Sequence, residues 1–123
     1  MKKGFLAGVG LFFISTLIFG VTKFTNQASE LSTAQVQVLI KEDTFKPENL
    51  EIKKGTTVVF KNETADSRWP ASNLHPTHGI FPEFDPKNPV KPGESWEFRF
   101  NKVGSWKYHD HLVPIIKGLI IVK

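Results

Sequence analysis

Apolar and polar residues alternate along most of the chain after residue 34, which is the pattern of β-strands with one buried face. In the C-terminal half, for example, Trp96, Phe98 and Phe100 alternate with Glu97 and Arg99. The predicted strands cover 35–41, 50–53, 56–62, 94–100, 106–111 and 118–122. With six or seven short strands and no helical period after the N-terminal segment, the chain is predicted to fold as an all-β sandwich or barrel.

Three stretches break the alternation. Residues 42–49 are predicted to form a turn or a short irregular segment, and a loop through Pro114 is predicted before the last strand. The longest break, 63–93, holds six of the eight prolines, and such a segment is usually either functional or disordered. It also holds Trp69, Phe81 and Phe84, which argue against disorder, so parts of it could pair as short edge strands.

The N-terminal segment has the composition of an export signal. Lys2 and Lys3 precede an apolar run of about 18 residues, the lower limit for a helix that spans a bilayer. Since no clear cleavage motif follows, residues 1–22 are predicted to be a signal peptide or an N-terminal membrane anchor, with the anchor favoured. Residues 23–32 are then a linker and 33–123 the folded domain. The position of the lysines predicts a domain outside the cytoplasm, in the periplasm or extracellular space.

Charge and sulfur content exclude several functions. The net charge is +4, but without Lys2, Lys3 and Lys23 the chain carries 13 basic and 12 acidic residues. No basic stripe remains for binding nucleic acid. Cysteine is absent and the single methionine is Met1, so thiolate chemistry, disulfides and thioether ligation are excluded from the domain.

All four histidines lie in two short segments. His109 and His111 are two residues apart on a predicted strand. Residues with this spacing point to the same face and lie about 6.5–7 Å apart along the strand. His75 and His78 flank Pro76 in the long loop, which suits a turn. Neutral imidazole is the commonest metal ligand, and together the two pairs predict a metal site. The alternative is that all four are ordinary surface residues.

The nitrogen ligands favour copper, with zinc as the weaker alternative. Affinity for such sites peaks at Cu(II), whereas structural zinc sites usually include thiolate. Calcium and magnesium prefer oxygen ligands.

Other side chains near the histidines have competing interpretations. Trp69, Tyr108 and Trp106 bracket the candidate ligands, although Trp106 is better explained by core packing. Asp110 could orient an imidazole or be a solvated carboxylate. Glu83 and Asp85 are predicted to be solvated turn residues.

Several motifs between residues 33 and 123 resemble the cupredoxin family. They are Phe45-Lys46-Pro47, Leu50 to Asn62, Val90 to Ser95, Gly104 to His109, and Lys117 to Val122. The resemblance implies a Greek-key β-sandwich of seven or eight strands. Blue-copper members also use a cysteine and usually a methionine. Here Tyr108 or Asp110 falls in the region of that cysteine, and Ile116 stands at the methionine position. A thiolate–copper centre is therefore impossible.

The histidine segments are more similar to the first domain of multicopper oxidases. The segment Ser72 to Ile80 is similar to the oxidase pattern Leu-His-x-His-Gly with one residue inserted, and Gly104 to His111 is similar to Gly-x-x-x-Tyr-His-x-His. This resemblance implies copper ligation by His75, His78, His109 and His111. It leaves open whether the four histidines hold one ion or contribute to a shared site.

Three functions fit these features. The first is an exported copper-binding protein with a mononuclear four-histidine site, active in copper handling or one-electron transfer with a redox or copper-delivery protein. The second is a copper redox enzyme that reacts with superoxide or oxygen. The third is a zinc-stabilised or metal-free interaction module tethered at the membrane. The sequence leaves open whether the protein is an enzyme.

Overall fold

The computed structural model describes residues 34–123, together with Gly4 and Gly8. The predicted signal peptide or anchor and the linker therefore lie outside the described residues, apart from those two glycines. Residues 34–123 belong to one compact unit. Within this described part, no helix has the length and apolar character needed to cross a membrane.

Eight strands form two four-stranded sheets. The strands are β1 (Gln35–Ile40), β2 (Phe45–Lys46), β3 (Asn49–Ile52), β4 (Thr56–Asn62), β5 (Pro70–Ser72), β6 (Ser95–Phe100), β7 (Gly104–Asp110) and β8 (Val113–Val122). The strand orders are β2-β1-β4-β6 and β3-β8-β7-β5. Both sheets are mixed, because β1 runs parallel to β4 and β3 runs parallel to β8. The all-β prediction is confirmed. The eight strands agree with the seven or eight implied by the family resemblance and exceed the six or seven predicted from alternation.

The core lies between the two sheets and follows the alternation of the sequence. Every second residue of β4 is buried, including Val58 and Phe60 at 0% exposure. Ile120 of the other sheet belongs to the same apolar cluster. The long loop adds Phe81 and Phe84, and the Phe84 ring lies 5.0 Å from that of Phe100. These two loop aromatics are therefore core residues, and the prediction that they hold the loop in an ordered structure is confirmed.

The structure corrects the predicted turn and loop boundaries. Strand β2 lies inside the predicted turn, where buried Phe45 pairs with Ile40. The loop predicted through Pro114 is wrong, because β8 already begins at Val113. A register shift between His109 and Asp110 leaves Pro114 outside the paired residues of β7 and β8, a position that tolerates a residue without an N–H donor.

Strand pairing brings the two histidine segments to the same place. The short edge strand β5 pairs antiparallel with β7, with Ala71 opposite His109. Beyond Ser72 the chain enters the loop that carries His75 and His78. His111 lies just past the end of β7. The edge strand predicted as possible within 63–93 is therefore present as β5, and it positions the histidines.

Candidate metal centre

The loop after β5 is fastened to the strand by Ser72. The buried Ser72 hydroxyl lies 2.8 Å from the carbonyl oxygens of both His78 and Phe81. The backbone N–H of His78 donates to the Leu74 carbonyl across 2.6 Å. His78 itself has φ 55°, a left-handed conformation that is uncommon outside glycine and tends to occur at functional sites. Tertiary contacts thus hold this histidine in an unfavourable backbone conformation.

The other two histidines come from the end of β7. His109 is on the strand and only 2% exposed. The prediction that His111 lies on the same strand is wrong, because β7 ends at Asp110 and a turn follows. The register shift and the turn together redirect His111, and its ring centroid lies 6.3 Å from that of His109.

One nitrogen from each histidine converges on a common region. His75 Nδ1 lies 3.2 Å from His109 Nε2, and His78 Nε2 lies 3.0 Å from His111 Nδ1. The four nitrogens all lie within 4.8 Å of one another. Two nitrogens bound to one ion at 2.0–2.1 Å would be about 3.3 Å apart in a tetrahedral site. The structure therefore brings all four candidate ligands together at spacings that suit a metal ion.

Two of the rings are oriented by oxygen acceptors. His78 Nδ1 lies 2.7 Å from Asp85 Oδ2, and His109 Nδ1 lies 2.9 Å from Asn73 Oδ1. Because a carboxylate or an amide oxygen only accepts, each Nδ1 must donate its hydrogen. The Nε2 lone pair of each ring is then directed toward the other histidines, as in metal sites whose ligands are held by outer hydrogen bonds.

The prediction that Asp85 is a solvated turn residue is wrong. Its side chain is 7% exposed, and Oδ1 accepts from Trp69 Nε1 and from the Lys87 backbone N–H, both at 2.8 Å. Burial alone would raise the pKa of the Asp85 carboxyl, but hydrogen bonds from His78, Lys87 and Trp69 outweigh it and lower the pKa. The carboxylate therefore stays ionised beside His78. Glu83, by contrast, is exposed, as predicted.

Asp110 makes no direct hydrogen bond to an imidazole, and its burial contradicts one of the two interpretations offered by the sequence. It is fully buried, so it is not a solvated carboxylate. Its oxygens bind Arg68 Nη1 at 3.3 Å and the backbone N–H groups of Trp69 and Leu112 at 3.1 and 3.0 Å, and none of these partners is an imidazole.

The three bracketing aromatic residues have different roles. Trp69 contacts a candidate ligand directly, with its ring centroid 4.9 Å from that of His111. Tyr108 is fully buried in the core against Phe45. Trp106 packs on Phe81 at 4.8 Å, which confirms its interpretation as a core residue.

Burial and mutual repulsion favour the neutral form of His109 and His111. Burial lowers the pKa of His109 to about 4, and the neighbouring His78, His75 and His111 add to the effect. The pKa of His111 is lowered by burial and then by His78 and His75. Neutral imidazole is the form that binds metal, so both rings are in the binding form at pH 7.

Sequence reasoning gave no role to Asn73 and Arg68 and placed Asp85 among the solvated turn residues. All three lie in the aperiodic stretch between β4 and β6, where no spacing relates them to the histidines. A carboxylate seven residues after His78 is not a signal by itself. Their contacts depend on how the long loop folds.

Comparison with known families gives one match along most of the chain. Residues 11–122 match the model of the cupredoxin-like domain. A search of curated protein sequences finds no match.

Solved structures with the same fold include a mutant amicyanin, a purple cupredoxin and one part of a nitrite reductase. A reduced mutant of amicyanin shares 22% identity at a TM-score of 0.63, over 77% of this chain and 88% of that chain. A purple cupredoxin from Nitrosopumilus maritimus shares 23% identity at a TM-score of 0.57, over 72% of this chain and 99% of that chain. A Cu-containing nitrite reductase from Thermus scotoductus SA-01 shares 26% identity at a TM-score of 0.60, over 72% of this chain but only 22% of that chain.

Proposed function

Because this chain belongs to the cupredoxin-like domain family, we propose that it is an exported copper-binding protein with a mononuclear four-histidine site, active in copper handling or one-electron transfer. The observation that supports this most is the convergence of four imidazole nitrogens within 4.8 Å of one another. The proposed ligands are His75, His78, His109 and His111.

The donor set favours copper over zinc. All four donors are imidazole nitrogens and the chain has no cysteine, so the thiolate usual in structural zinc sites is missing. Among divalent first-row metals, affinity for nitrogen sites peaks at Cu(II). When bound, copper would supply one-electron redox chemistry. Asp85 and Asn73 would hold two of the rings in the tautomer that binds it.

A single ion fits the spacing better than a shared cluster. Opposite nitrogens on one ion are separated by about 4 Å, which is twice the usual metal–nitrogen distance. The largest separation among the four nitrogens is close to that value, at 4.8 Å. Only a small movement of the rings would bring all four within bonding distance of one ion.

Access to the site supports exchange with a partner and keeps the enzyme alternative open. His75 is exposed, whereas His78 and His109 are buried. A redox protein or a copper-delivery protein could approach the metal from the His75 side. A small oxidant such as superoxide could do the same, so the copper-loaded chain should be assayed for superoxide and oxygen consumption. Catalytic turnover would favour the enzyme.

The experiment that tests the proposal is metal analysis with electron paramagnetic resonance (EPR) on the full chain. We expect about one Cu(II) per chain, an axial spectrum with nitrogen hyperfine structure, and no intense blue band, since no thiolate is present. His109→Ala should abolish tight binding because it removes a buried ligand. Trp106→Phe, which alters the core away from the ligands, is the control and should bind normally.

Preferential retention of zinc, or loading that survives His109→Ala and His111→Ala alike, would overturn the copper assignment. In that case the zinc-stabilised or metal-free interaction module would be the better description.

A further inference from the structure

A buried ion pair includes Asp110, the residue immediately before His111. Arg68 is 3% exposed and Asp110 is 0% exposed, and Arg68 Nη1 donates to Asp110 Oδ2 at 3.3 Å. Two charges removed from water need further partners, because their mutual attraction rarely offsets the loss of hydration. The remaining hydrogen bonds of the pair show what the pair is connected to.

Asp110 binds the backbone on both sides of the His111 turn. Its Oδ1 accepts from the backbone N–H of Leu112 at 3.0 Å and from that of Trp69 at 3.1 Å. The His111 N–H in turn donates to the Trp69 carbonyl at 2.7 Å. One carboxylate oxygen thus closes the turn that carries His111 and links it to the segment before β5.

Arg68 holds that carboxylate in place. Its Nε donates to Thr64 Oγ1 at 3.2 Å, and its Nη2 donates to the carbonyl of Glu42 at 3.3 Å and to the Glu42 carboxylate at 3.1 Å. The guanidinium therefore connects the β1–β2 connection, the loop after β4 and the end of β7. These contacts leave Asp110 little freedom to turn away from Leu112.

We propose that Asp110, held by Arg68, is a positioning residue that sets the direction of His111 before any metal binds. This inference rests on the proposed copper function. The competing explanation is that the ion pair serves the fold alone. The two explanations make different predictions. If Asp110 positions His111, the hydrogen bonds of Oδ1 to the turn matter for metal binding; if the ion pair serves the fold alone, they do not.

Two double variants separate these roles. In Arg68→Met with Asp110→Asn, the buried charges are gone but Oδ1 can still accept from Leu112 and Trp69. In Arg68→Met with Asp110→Ala, the charges are equally gone and the acceptor is lost as well. Arg68→Met is common to both, so the comparison isolates the turn-closing bonds.

We expect the Ala-containing variant to bind Cu(II) about 10–100-fold more weakly than the Asn-containing one, the usual effect of losing a residue that orients a ligand. Its EPR spectrum should show hyperfine coupling from one nitrogen fewer. Equal affinity and identical spectra would overturn the proposal, because the pair would then serve the fold alone.

A measurement on the wild-type chain can overturn the proposal even if neither variant folds or the chain binds no copper. The proposal requires the Leu112 amide to be protected from hydrogen exchange in the metal-free protein. Exchange of that amide at the rate of an unstructured chain would overturn the positioning role. Protection combined with a failure to bind copper would overturn the copper function and leave the turn as described.

Discussion

At the scale of single residues, the candidate site depends on the four histidines and also on the side-chain oxygens that accept hydrogen bonds from two of them. Asp85 and Asn73 accept hydrogen bonds from the Nδ1–H groups of His78 and His109, which leaves the Nε2 lone pair of each ring available to a metal ion. His75 is exposed, and its Nδ1 faces His109. The buried pair is therefore more strongly oriented than the exposed ligand.

Asp85→Ala should weaken copper binding about 10–100-fold, because His78 loses the carboxylate that fixes its tautomer. Glu83→Ala is the matched control, since it removes an exposed carboxylate two residues away that contacts none of the histidines. A competition titration of both variants measures the difference. Equal dissociation constants for the two variants would contradict the role assigned to Asp85.

The metal-free chain should lose stability as the pH falls from about 6.5 towards 4. The imidazole of an unfolded chain has a pKa of about 6.5, whereas burial holds the pKa of His109 at about 4 in the fold. In that interval the unfolded state takes up a proton that the folded state does not, so the equilibrium shifts toward unfolding.

The check on this pH dependence is urea denaturation at several pH values for the wild-type chain and for His109→Gln. The variant should lose less stability over the same interval, because the titrating ring is gone. Parallel pH profiles for the two chains would show that His109 does not titrate in this way.

At the scale of secondary structure, β7 combines the core and the site at neighbouring positions. Tyr108 points into the core and His109 points to the other face of the sheet, toward the loop after β5. Opposite Tyr108 in register is Gly118 of β8. A Cβ at Gly118 would lie 2.4 Å from the Tyr108 ring, closer than any real contact. The strand that presents His109 therefore packs correctly only with glycine at this position.

Gly118→Ala should reduce the free energy of unfolding by about 1–3 kcal/mol, the usual effect of overpacking a core. Gly79→Ala is the control, since its Cβ would meet only Thr77 Oγ1 at 3.7 Å. Chemical denaturation of the two variants measures the difference. If both substitutions had equally small effects, the Tyr108–Gly118 contact would not be restrictive.

At the scale of the whole molecule, the candidate metal site lies beside the edge strand β5. The N-terminal segment concerns a separate question, namely the cellular compartment in which the domain is found. We predict that residues 1–22 direct the domain out of the cytoplasm, because a basic start followed by an apolar run is an export signal.

Cell fractionation with external protease tests this prediction. An uncleaved anchor gives membrane-bound chain whose domain is degraded from outside, and a cleaved signal gives a shortened, released chain. Deletion of residues 1–22 should retain the domain inside the cell. Full-length chain in the cytoplasm would contradict export.

Sequence alone determined the all-β class, most of the strands and the four candidate ligands. Alternation of apolar and polar residues is a local property, so 56–62 and 94–100 could be assigned without any tertiary contact. Composition likewise excluded sulfur ligands and limited the imidazoles to two segments.

Only the tertiary structure decided how the ligands are held. His75 and His109 are 34 residues apart and meet because β5 pairs with β7. No periodicity in the long loop predicted that pairing. The burial of Asp85 and the Arg68–Asp110 pair arise in the same way. Each depends on the path of the long loop, which is determined by core packing rather than by local sequence. A solvated carboxylate and a structural one have the same letter in the sequence.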